Sequence, residues 1–247
     1  MATTSKAQFL TEVQTLLKSR YKLEPGPDKL SILEAIIYGI CHEDSTRALA
    51  LKALKSLQEN FFDWNEIRVS SLEEIQGVFR EYPHPDQRAF QVRRFLRQIF
   101  EKTYGFSLDP LLKKPQKESI KALEEYEALA SDYVTATVTR LALAGHAIPI
   151  DQPALRALTR LGIAEGEPGD LGSLRATLER AVPKNRGAEF TDLIEELAHD
   201  TCVSGVPDCP RCELQKICPT GLNQAASVLA SSSKAPKSRP TRTKASE

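Results

Sequence analysis

Four of the five cysteines lie close together near the end of the chain, in the stretch CVSGVPDCPRCELQKIC. Cys202, Cys209, Cys212 and Cys218 have the spacing C-x6-C-x2-C-x5-C. Four thiolates in one compact loop can hold a tetrahedral zinc ion or a [4Fe–4S] cluster. Structural zinc sites often use two separate CxxC pairs, whereas this stretch has one close pair and two outlying cysteines. The spacing alone leaves both metals open.

The cellular compartment decides whether disulfides compete with a metal. The first residues, MATTSKAQFLTEVQ, lack the apolar segment of a signal peptide, and no apolar run approaches the roughly 20 residues that cross a membrane. We therefore expect a cytoplasmic protein without a membrane span. Thiols stay reduced in the cytoplasm, so a cysteine cluster there favours a metal over disulfides.

The elements that must position these cysteines are predicted to be helices throughout. Apolar residues recur at helical spacing over 6–21, and the run KLSILEAIIYGIC is apolar nearly all round. Asp28 is the expected N-cap of that run, and Asp44 or Ser45 the cap of the next helix. Ser71 and Glu74 have capping-box spacing. No alternating strand pattern or internal repeat is present, so the sequence predicts an all-α fold.

A further helix is predicted in the stretch PHPDQRAFQVRRFLRQIFEKTYG, ending at Gly105. Its apolar residues are expected to face inward: Phe90, Phe95, Ile99 and Phe100. Its arginines form either a basic surface for nucleic acid or a solvated helix face: Arg88, Arg93, Arg94 and Arg97. Additional helices are predicted over 116–129, 134–144, 153–161, 171–181 and 187–199.

Charge is distributed unevenly along the chain, although 33 Lys and Arg balance 33 Asp and Glu. Residues 223–247 carry five cations and one anion, a net charge of +4, which leaves −4 for residues 1–222. This Ser-, Ala- and Pro-rich tail is predicted to be disordered. It either contacts nucleic acid phosphates or only solubilises the chain.

Two motifs together resemble a known family. The cysteine spacing, directly after the helix EELAHDTC, looks like the iron–sulfur loop of endonuclease III and the adenine glycosylases, which belong to the helix-hairpin-helix (HhH-GPD) DNA glycosylase superfamily. The stretch PIDQPALRALTRLG is similar to the family's P-x-V-D-T-H-V-x-R-V-x-x-R-L-G. A weaker match, LEAIIYGICHEDS, keeps Asp44. The resemblance covers about residues 28–222.

The resemblance implies a fold of two lobes. Residues 29–130 would form a six-helix lobe, and 131–222 would carry the hairpin, a catalytic aspartate and the cluster loop. Residues 1–28 would pack with this second lobe. The resemblance also implies that the four cysteines hold a [4Fe–4S] cluster. The expected partner is double-stranded DNA, damaged or mismatched, bound by a monomer that is associated with the nucleoid if the cell is bacterial.

The resemblance places the chemistry on Asp151, which matches the family's catalytic aspartate. Its other interpretation is a helix N-cap, since Pro153 follows at an early-turn position. The family's lysine, which forms a Schiff base in bifunctional members, is missing. Tyr133 or Val134 stands there, depending on the alignment, so β-lyase activity is not expected. Tyr133 lines the base pocket or simply packs at the start of a helix.

The expected DNA contacts are His42, Arg211 and Lys216. His42 and Cys41 occupy the neighbourhood of a family glutamine that fills the gap left by a flipped base, and Cys41 is more typical of a buried core. Arg211 and Lys216 are the only cations of the cysteine loop, and Asp208 opposes them. The hairpin tip has no glycine, and Asp132 there would repel a phosphate.

Three functions remain open. The first is a base excision repair enzyme, a monofunctional DNA N-glycosylase in which Asp151 stabilises positive charge on the deoxyribose. The second is a non-catalytic iron–sulfur relative that binds DNA or a protein partner. The third is a zinc-braced helical interaction module unrelated to DNA.

Overall fold

The computed structural model describes residues 5–23, 25–27, 29–82, 84–164 and 171–233, and this part of the chain is helical with no strand. Twelve α-helices follow in order: α1 Lys6–Arg20, α2 Ile32–His42, α3 Arg47–Asn60, α4 Trp64–Val69, α5 Leu72–Gln76, α6 Pro85–Thr103, α7 Gln116–Leu123, α8 Asp132–Leu141, α9 Gln152–Arg160, α10 Leu171–Ala181, α11 Lys184–Asp200 and α12 Pro219–Ser233. Short 3₁₀ turns cover Gly77–Phe79, Asp109–Lys113, Glu127–Ala130 and Cys209–Arg211. The predicted all-α fold is confirmed.

Two hydrophobic cores define two lobes. The first core gathers α2 to α8 around α2, in which every residue except Glu34 is buried. The second core joins α1 to α9, α10, α11 and the cysteine loop. Leu10, Val13 and Leu17 of α1 pack there beside Phe190 of α11, because their helical spacing puts them on one face.

The first core extends past residue 130 into α8. Helix α8 packs on α2 and contributes Val134 and Val138 to the first core. Gly39 of α2 makes this close approach possible. A Cβ at position 39 would lie 3.3 Å from the Cα and Cγ1 of Val134.

Two predicted helix caps are wrong, and one is confirmed. Ser31, not Asp28, caps α2, and its hydroxyl accepts a hydrogen bond from the Glu34 amide. Asp28 lies outside the described residues. Thr46, rather than Asp44 or Ser45, caps α3. Ser71 and Glu74 form the predicted capping box of α5.

The arginine-rich helix α6 also departs from expectation. Phe95 and Ile99 are buried as predicted, but Phe90 is 51% exposed. The helix ends at Thr103 with Tyr104 in the left-handed region at φ 52°, so Gly105 is not its C-cap. The four arginines bind within the chain: Arg88 to the carbonyls of Ile40 and Glu43, Arg93 to Ser70, Arg94 to Glu127 and Arg97 to Arg68.

The predicted tail is partly ordered. Helix α12 continues to Ser233, so the expectation of disorder is wrong for residues 223–233. Residues 234–247, with their basic side chains, lie outside the described residues. None of the described helices combines the length and apolar character needed to cross a membrane.

The contact between α2 and α8 gives a stability prediction. In Gly39→Ala, the added methyl group presses on the backbone of Val134, which can move only if the two helices separate. At Gly77, an added Cβ meets nothing within 4 Å. We therefore expect Gly39→Ala to have a free energy of unfolding about 1–3 kcal/mol below that of Gly77→Ala, as measured by urea denaturation. Equal stabilities would show that the helices can separate without cost.

Candidate active site

Asp151 and Asp44 tie the two lobes together by reciprocal hydrogen bonds. Asp151 is the N-cap of α9, and its Oδ1 accepts from the Ala154 amide at 2.8 Å. Its Oδ2 accepts from the Asp44 amide at 3.2 Å, and Oδ1 of Asp44 accepts from the Gln152 amide at 2.9 Å. The turn after α2 allows this because Asp44 is left-handed, with φ 54°. The N-cap interpretation of Asp151 is therefore correct, and the residue also lies at the lobe junction.

The surroundings of Asp151 disfavour its charged form. The side chain is 9% exposed. Burial raises the pKa of the carboxyl to about 6, the charge of Asp44 adds to this, and the Ala154 amide and His42 oppose it. A carboxyl with a perturbed pKa at the junction of two lobes is a candidate for proton transfer or for stabilising positive charge.

Tyr133 packs at the start of α8, but its hydroxyl has a polar partner. The side chain is 5% exposed, and its Oη lies 2.9 Å from Nδ1 of His42. Nε2 of His42 lies 2.9 Å from Oε1 of Glu195 on α11. Burial and the charge of Asp151 raise the pKa of Tyr133 well above its ordinary value, so the phenol stays protonated. The junction therefore holds a continuous chain of three side chains.

His42 is not placed for the DNA contact that the sequence led us to expect. The side chain is 1% exposed, both ring nitrogens have protein partners, and the ring packs against Tyr38 with centroids 5.0 Å apart. The reason is that His42 ends α2, the central helix of the first core, and turns toward α11. Cys41 is fully buried, as expected, and burial raises the pKa of its thiol to about 12.

Buried ion pairs join the same two lobes. Asp192, one turn before Glu195 on α11, lies 2.7 Å from Arg47 and 3.5 Å from Arg140. The Arg47 amide also donates to Oε1 of Glu195 at 2.7 Å. The sequence reasoning did not assign a role to Asp192, Glu195 or Arg140. In the sequence, Asp192 and Glu195 stand out only as two acidic residues one helical turn apart. The residues that they contact lie far away in the chain.

The negative charge of Asp132 at the hairpin tip is compensated in the structure, which the sequence did not indicate. Asp132 forms an ion pair with Arg175 of α10, which compensates its charge. Ser131 caps α8 and donates its hydroxyl to Oε1 of Glu43 at 2.8 Å. The tip is thus bound to both its neighbours, and its side chains do not stand free toward a phosphate.

The four clustered cysteines line one cavity. Cys202, Cys209, Cys212 and Cys218 surround it together with Arg160 and Thr201. None of the four is in a disulfide, and burial, followed by the other three cysteines, raises the pKa of Cys209. Over the described ranges, no group of three or more His, Cys, Asp or Glu side chains is arranged to hold a metal ion. The four cysteines thus line the same cavity without the arrangement of a formed metal site.

Two arginines of α9 hold the cysteine loop. Arg156 donates to the carbonyls of Ala198 and Cys202 at 2.9 and 3.1 Å. Arg160 donates to the carbonyls of Cys202, Val203 and Gly205 at 3.2, 2.7 and 2.8 Å, and approaches the Cys202 Sγ at 3.6 Å. Helix α9 therefore carries Asp151 at its N-terminus and the supports of the cysteine loop along its C-terminal half.

The two loop cations lie on the surface. Arg211 is exposed, and its guanidinium is 3.3 Å from Asp208. Lys216 is also exposed. Neither approaches Asp151 through any hydrogen bond or ion pair of the described residues, and their expected contact with DNA stays a prediction.

The pKa of Asp151 gives a prediction for stability. The carboxyl titrates at about 6 in the folded protein and at 3.8 without the fold, so the folded state binds more protons between these values. Its favourable contribution is present below pH 3.8 and is lost as the pH rises through 6. Asparagine cannot ionise. The free energy of unfolding of Asp151→Asn relative to wild type should therefore increase by about 2–3 kcal/mol between about pH 4 and pH 7.

Urea denaturation over this pH range checks the prediction. Asp63→Asn is the control for loss of a capping carboxylate, since Asp63 caps α4 at the surface by the same bond to the third residue. A difference between Asp151→Asn and wild type that does not change with pH would contradict the buried, proton-binding state of Asp151.

The fold and the position of Asp151 can now be compared with those of known proteins. No protein-family model matches the chain, and no curated protein matches its sequence. A non-covalent endonuclease III–DNA complex is similar in structure, with TM-score 0.68 and 18% identity over 90% of this chain and 99% of that one. A trapped endonuclease III–DNA covalent intermediate has TM-score 0.65 and 19% identity, covering 87% and 95%. A thermostable thymine-DNA glycosylase has TM-score 0.63 and 19% identity with the same coverage. The chain therefore has the all-α fold of the endonuclease III-like DNA glycosylases.

Proposed function

We propose that this protein is a DNA-binding enzyme of base excision repair, a monofunctional DNA N-glycosylase in which Asp151 is the catalytic carboxylate. The observation that carries the proposal is the place of Asp151, held by α9 at the junction of the lobes with a pKa of about 6. The fold, shared with endonuclease III in its complexes with DNA, supports it.

The proposed hydrolysis of the glycosidic bond depends on the burial of the Asp151 carboxylate at the junction of the lobes. A base flipped out of the duplex would enter between the lobes. Flipping costs a few kcal/mol, and a mismatch or lesion removes part of this cost. The glycosidic bond breaks with its electron pair leaving on the base, and positive charge develops on the deoxyribose. Each oxygen of Asp151 accepts one hydrogen bond in the protein and keeps a lone pair for the sugar or for water.

Strand cleavage through a Schiff base is not part of the proposal. Both residues that can align with the family lysine, Tyr133 and Val134, are buried at the start of α8 and carry no amine. Tyr133 also remains protonated, since its pKa is raised well above the ordinary value. Water is therefore the nucleophile, and the product is an abasic site in an intact strand.

The cysteine loop fits a [4Fe–4S] cluster held by Cys202, Cys209, Cys212 and Cys218. The support is the single cavity that all four line, the C-x6-C-x2-C-x5-C spacing and the two arginines of α9 that fix the loop. When bound, the cluster would cross-link the end of α11 to the start of α12. Because α9 touches this loop, the cluster would also stabilise the helix that carries Asp151.

The rest of the proposal concerns setting and partner. The protein would act as a monomer on damaged or mismatched double-stranded DNA, in the cytoplasm or at the nucleoid of a bacterial cell. The exposed cations Arg211 and Lys216 would contact the phosphate backbone, and the basic residues of 234–247 would add a salt-sensitive contribution.

A second candidate function is a non-catalytic relative that binds DNA or a protein partner. The observation in its favour is the closed junction. Both oxygens of Asp151 are bonded within the chain, and the hydroxyl of Tyr133 is directed to His42. An enzyme must open or rearrange these contacts to admit a base, whereas a binder keeps them.

The cluster assignment is tested by metal analysis of purified protein. Wild type should be brown and hold about four iron atoms per chain, and Cys209→Ala should lose both the colour and the iron. Cys41→Ala is the matched control, since Cys41 lies in the first core away from the loop and should keep both. A colourless protein with zinc instead of iron would contradict the cluster and favour the zinc-braced module.

The catalytic role of Asp151 is tested by binding two abasic duplexes that differ only in charge. One holds a pyrrolidine sugar analogue, which is cationic, and the other a neutral tetrahydrofuran analogue. Wild type should prefer the cationic duplex by about tenfold, because an ionised carboxylate at the site gains about 1–2 kcal/mol from the cation.

Asp151→Asn should lose this preference and keep its affinity for the neutral duplex. Asp63→Asn, which removes a capping carboxylate on the outside of the first lobe, should behave like wild type. Equal affinity of wild type for both duplexes would move the assignment to the non-catalytic relative.

A further inference from the structure

The chain of side chains at the junction has an order with chemical meaning. A hydroxyl on α8, an imidazole on α2 and a carboxylate on α11 follow one another at 2.9 and 2.9 Å, between Tyr133, His42 and Glu195. A carboxylate bonded to one nitrogen of an imidazole fixes which nitrogen carries the proton, and so decides what the other nitrogen offers to a hydroxyl.

Glu195 determines the direction of these hydrogen bonds. Burial opposes its ionisation, but the hydrogen bonds from His42 and from the Arg47 amide outweigh burial and lower its pKa. An ionised carboxylate can only accept, so Nε2 of His42 must donate to it. In the neutral ring Nδ1 is then bare, and it accepts the hydroxyl proton of Tyr133.

Toward any other group, the hydroxyl oxygen of Tyr133 can therefore only accept a hydrogen bond. Its one proton is directed to His42, and its remaining lone pair has no partner among the hydrogen bonds of the described residues. Tyr133 is bonded to His42 at the end of α2, and Asp151 accepts from the amide of Asp44, two residues after His42. Tyr133 and Asp151 thus border the same part of the junction.

We propose that Glu195 and His42 are positioning residues that fix Tyr133 as a hydrogen-bond acceptor beside Asp151. The inference rests on the proposed function and adds to it the orientation of the attacking water. That water donates one hydrogen bond to Oη of Tyr133 and gives its other proton to Asp151. Its oxygen bonds to C1′ of the deoxyribose as the glycosidic bond breaks, and the electron pair leaves with the base. The proton of Tyr133 stays in place.

The environment of His42 is charged on several sides. Helix α3 brings Arg47, α8 brings Arg140, and α11 brings Asp192 and His199 besides Glu195, while Tyr38 packs on the ring from its own helix. Asp192 offers a matched control. It lies one turn from Glu195 on α11 and pairs with Arg47 and Arg140, and no hydrogen bond or ion pair of the described residues joins it to His42.

Nitrogen-15 NMR of the imidazole rings tests the positioning directly, without DNA. The chain has four histidines, so His42→Gln assigns the signals. We expect a protonated Nε2 and a bare Nδ1 for His42 in wild type. The same pattern should persist in Tyr133→Phe and Asp192→Asn, because Glu195 sets it, and it should be lost in Glu195→Leu, which removes the acceptor for Nε2. A protonated Nδ1 in wild type, or a change of tautomer in Tyr133→Phe, would overturn the inference.

Binding of the pyrrolidine duplex tests the link to the substrate. Tyr133→Phe and Glu195→Leu should each lower affinity for it about fivefold through loss of one hydrogen bond to ordered water, and Asp192→Asn should not. If wild type prefers the cationic duplex and Glu195→Leu binds it as Asp192→Asn does, the positioning role fails while the proposed function stands. If wild type shows no such preference, the proposed function fails, and with it the role of Tyr133.

Discussion

The reciprocal hydrogen bonds between Asp44 and Asp151 are the constraint on which the junction depends. Each carboxylate accepts a backbone amide from the opposite lobe, so both lobes are held at the N-terminus of α9. Asp151 also caps that helix, and a capping carboxylate is stabilised by the amides and the dipole of the first turn. One side chain therefore starts α9, joins the lobes and presents the only catalytic carboxylate of the proposal.

The other end of α9 extends this constraint to the cysteine loop. Arg156 and Arg160 donate five hydrogen bonds to loop and helix-end carbonyls, and Thr220 of α12 donates to the Arg160 carbonyl at 3.0 Å. Gly162 then turns the chain at φ 71°, a conformation that favours glycine. A nine-residue helix thus couples the carboxylate site to the four cysteines, and a cofactor bound there would act on Asp151 through α9 rather than by contact.

Buried polar groups at the junction favour one arrangement of the lobes over many. The His42–Glu195 and Arg47–Asp192 pairs lose hydration on burial, which offsets much of their attraction, so their net stabilisation is small. Breaking one partner is costly, however, because the other charge is left buried. A displaced lobe would leave several such groups unpaired, so the network specifies lobe orientation more than it adds stability.

The sequence predicted what depends on local pattern. The helices followed from apolar periodicity, the Ser71 cap from its spacing to Glu74, and Asp151 and the cysteines from a motif. Contacts between residues far apart in the chain could not be predicted from local pattern. The approach of α11 to α2 buries His42, which the sequence motif had predicted to contact DNA. The same approach brings Glu195 to His42, 153 residues earlier in the chain. Local competition explains the wrong caps, since Ser31 and Thr46 are also good N-cap residues and lie nearer the first helical turn.

A glycosylase assay tests the central claim most directly. Iron-loaded protein would be incubated with duplexes containing uracil, thymine or adenine mismatches, oxidised pyrimidines or 8-oxoguanine, and the strands analysed with and without alkali. The account predicts strand cleavage that appears only after alkali on at least one duplex and is lost in Asp151→Asn. Cleavage without alkali would contradict the absence of a Schiff-base mechanism, and no cleavage of any duplex would contradict the assignment as an enzyme.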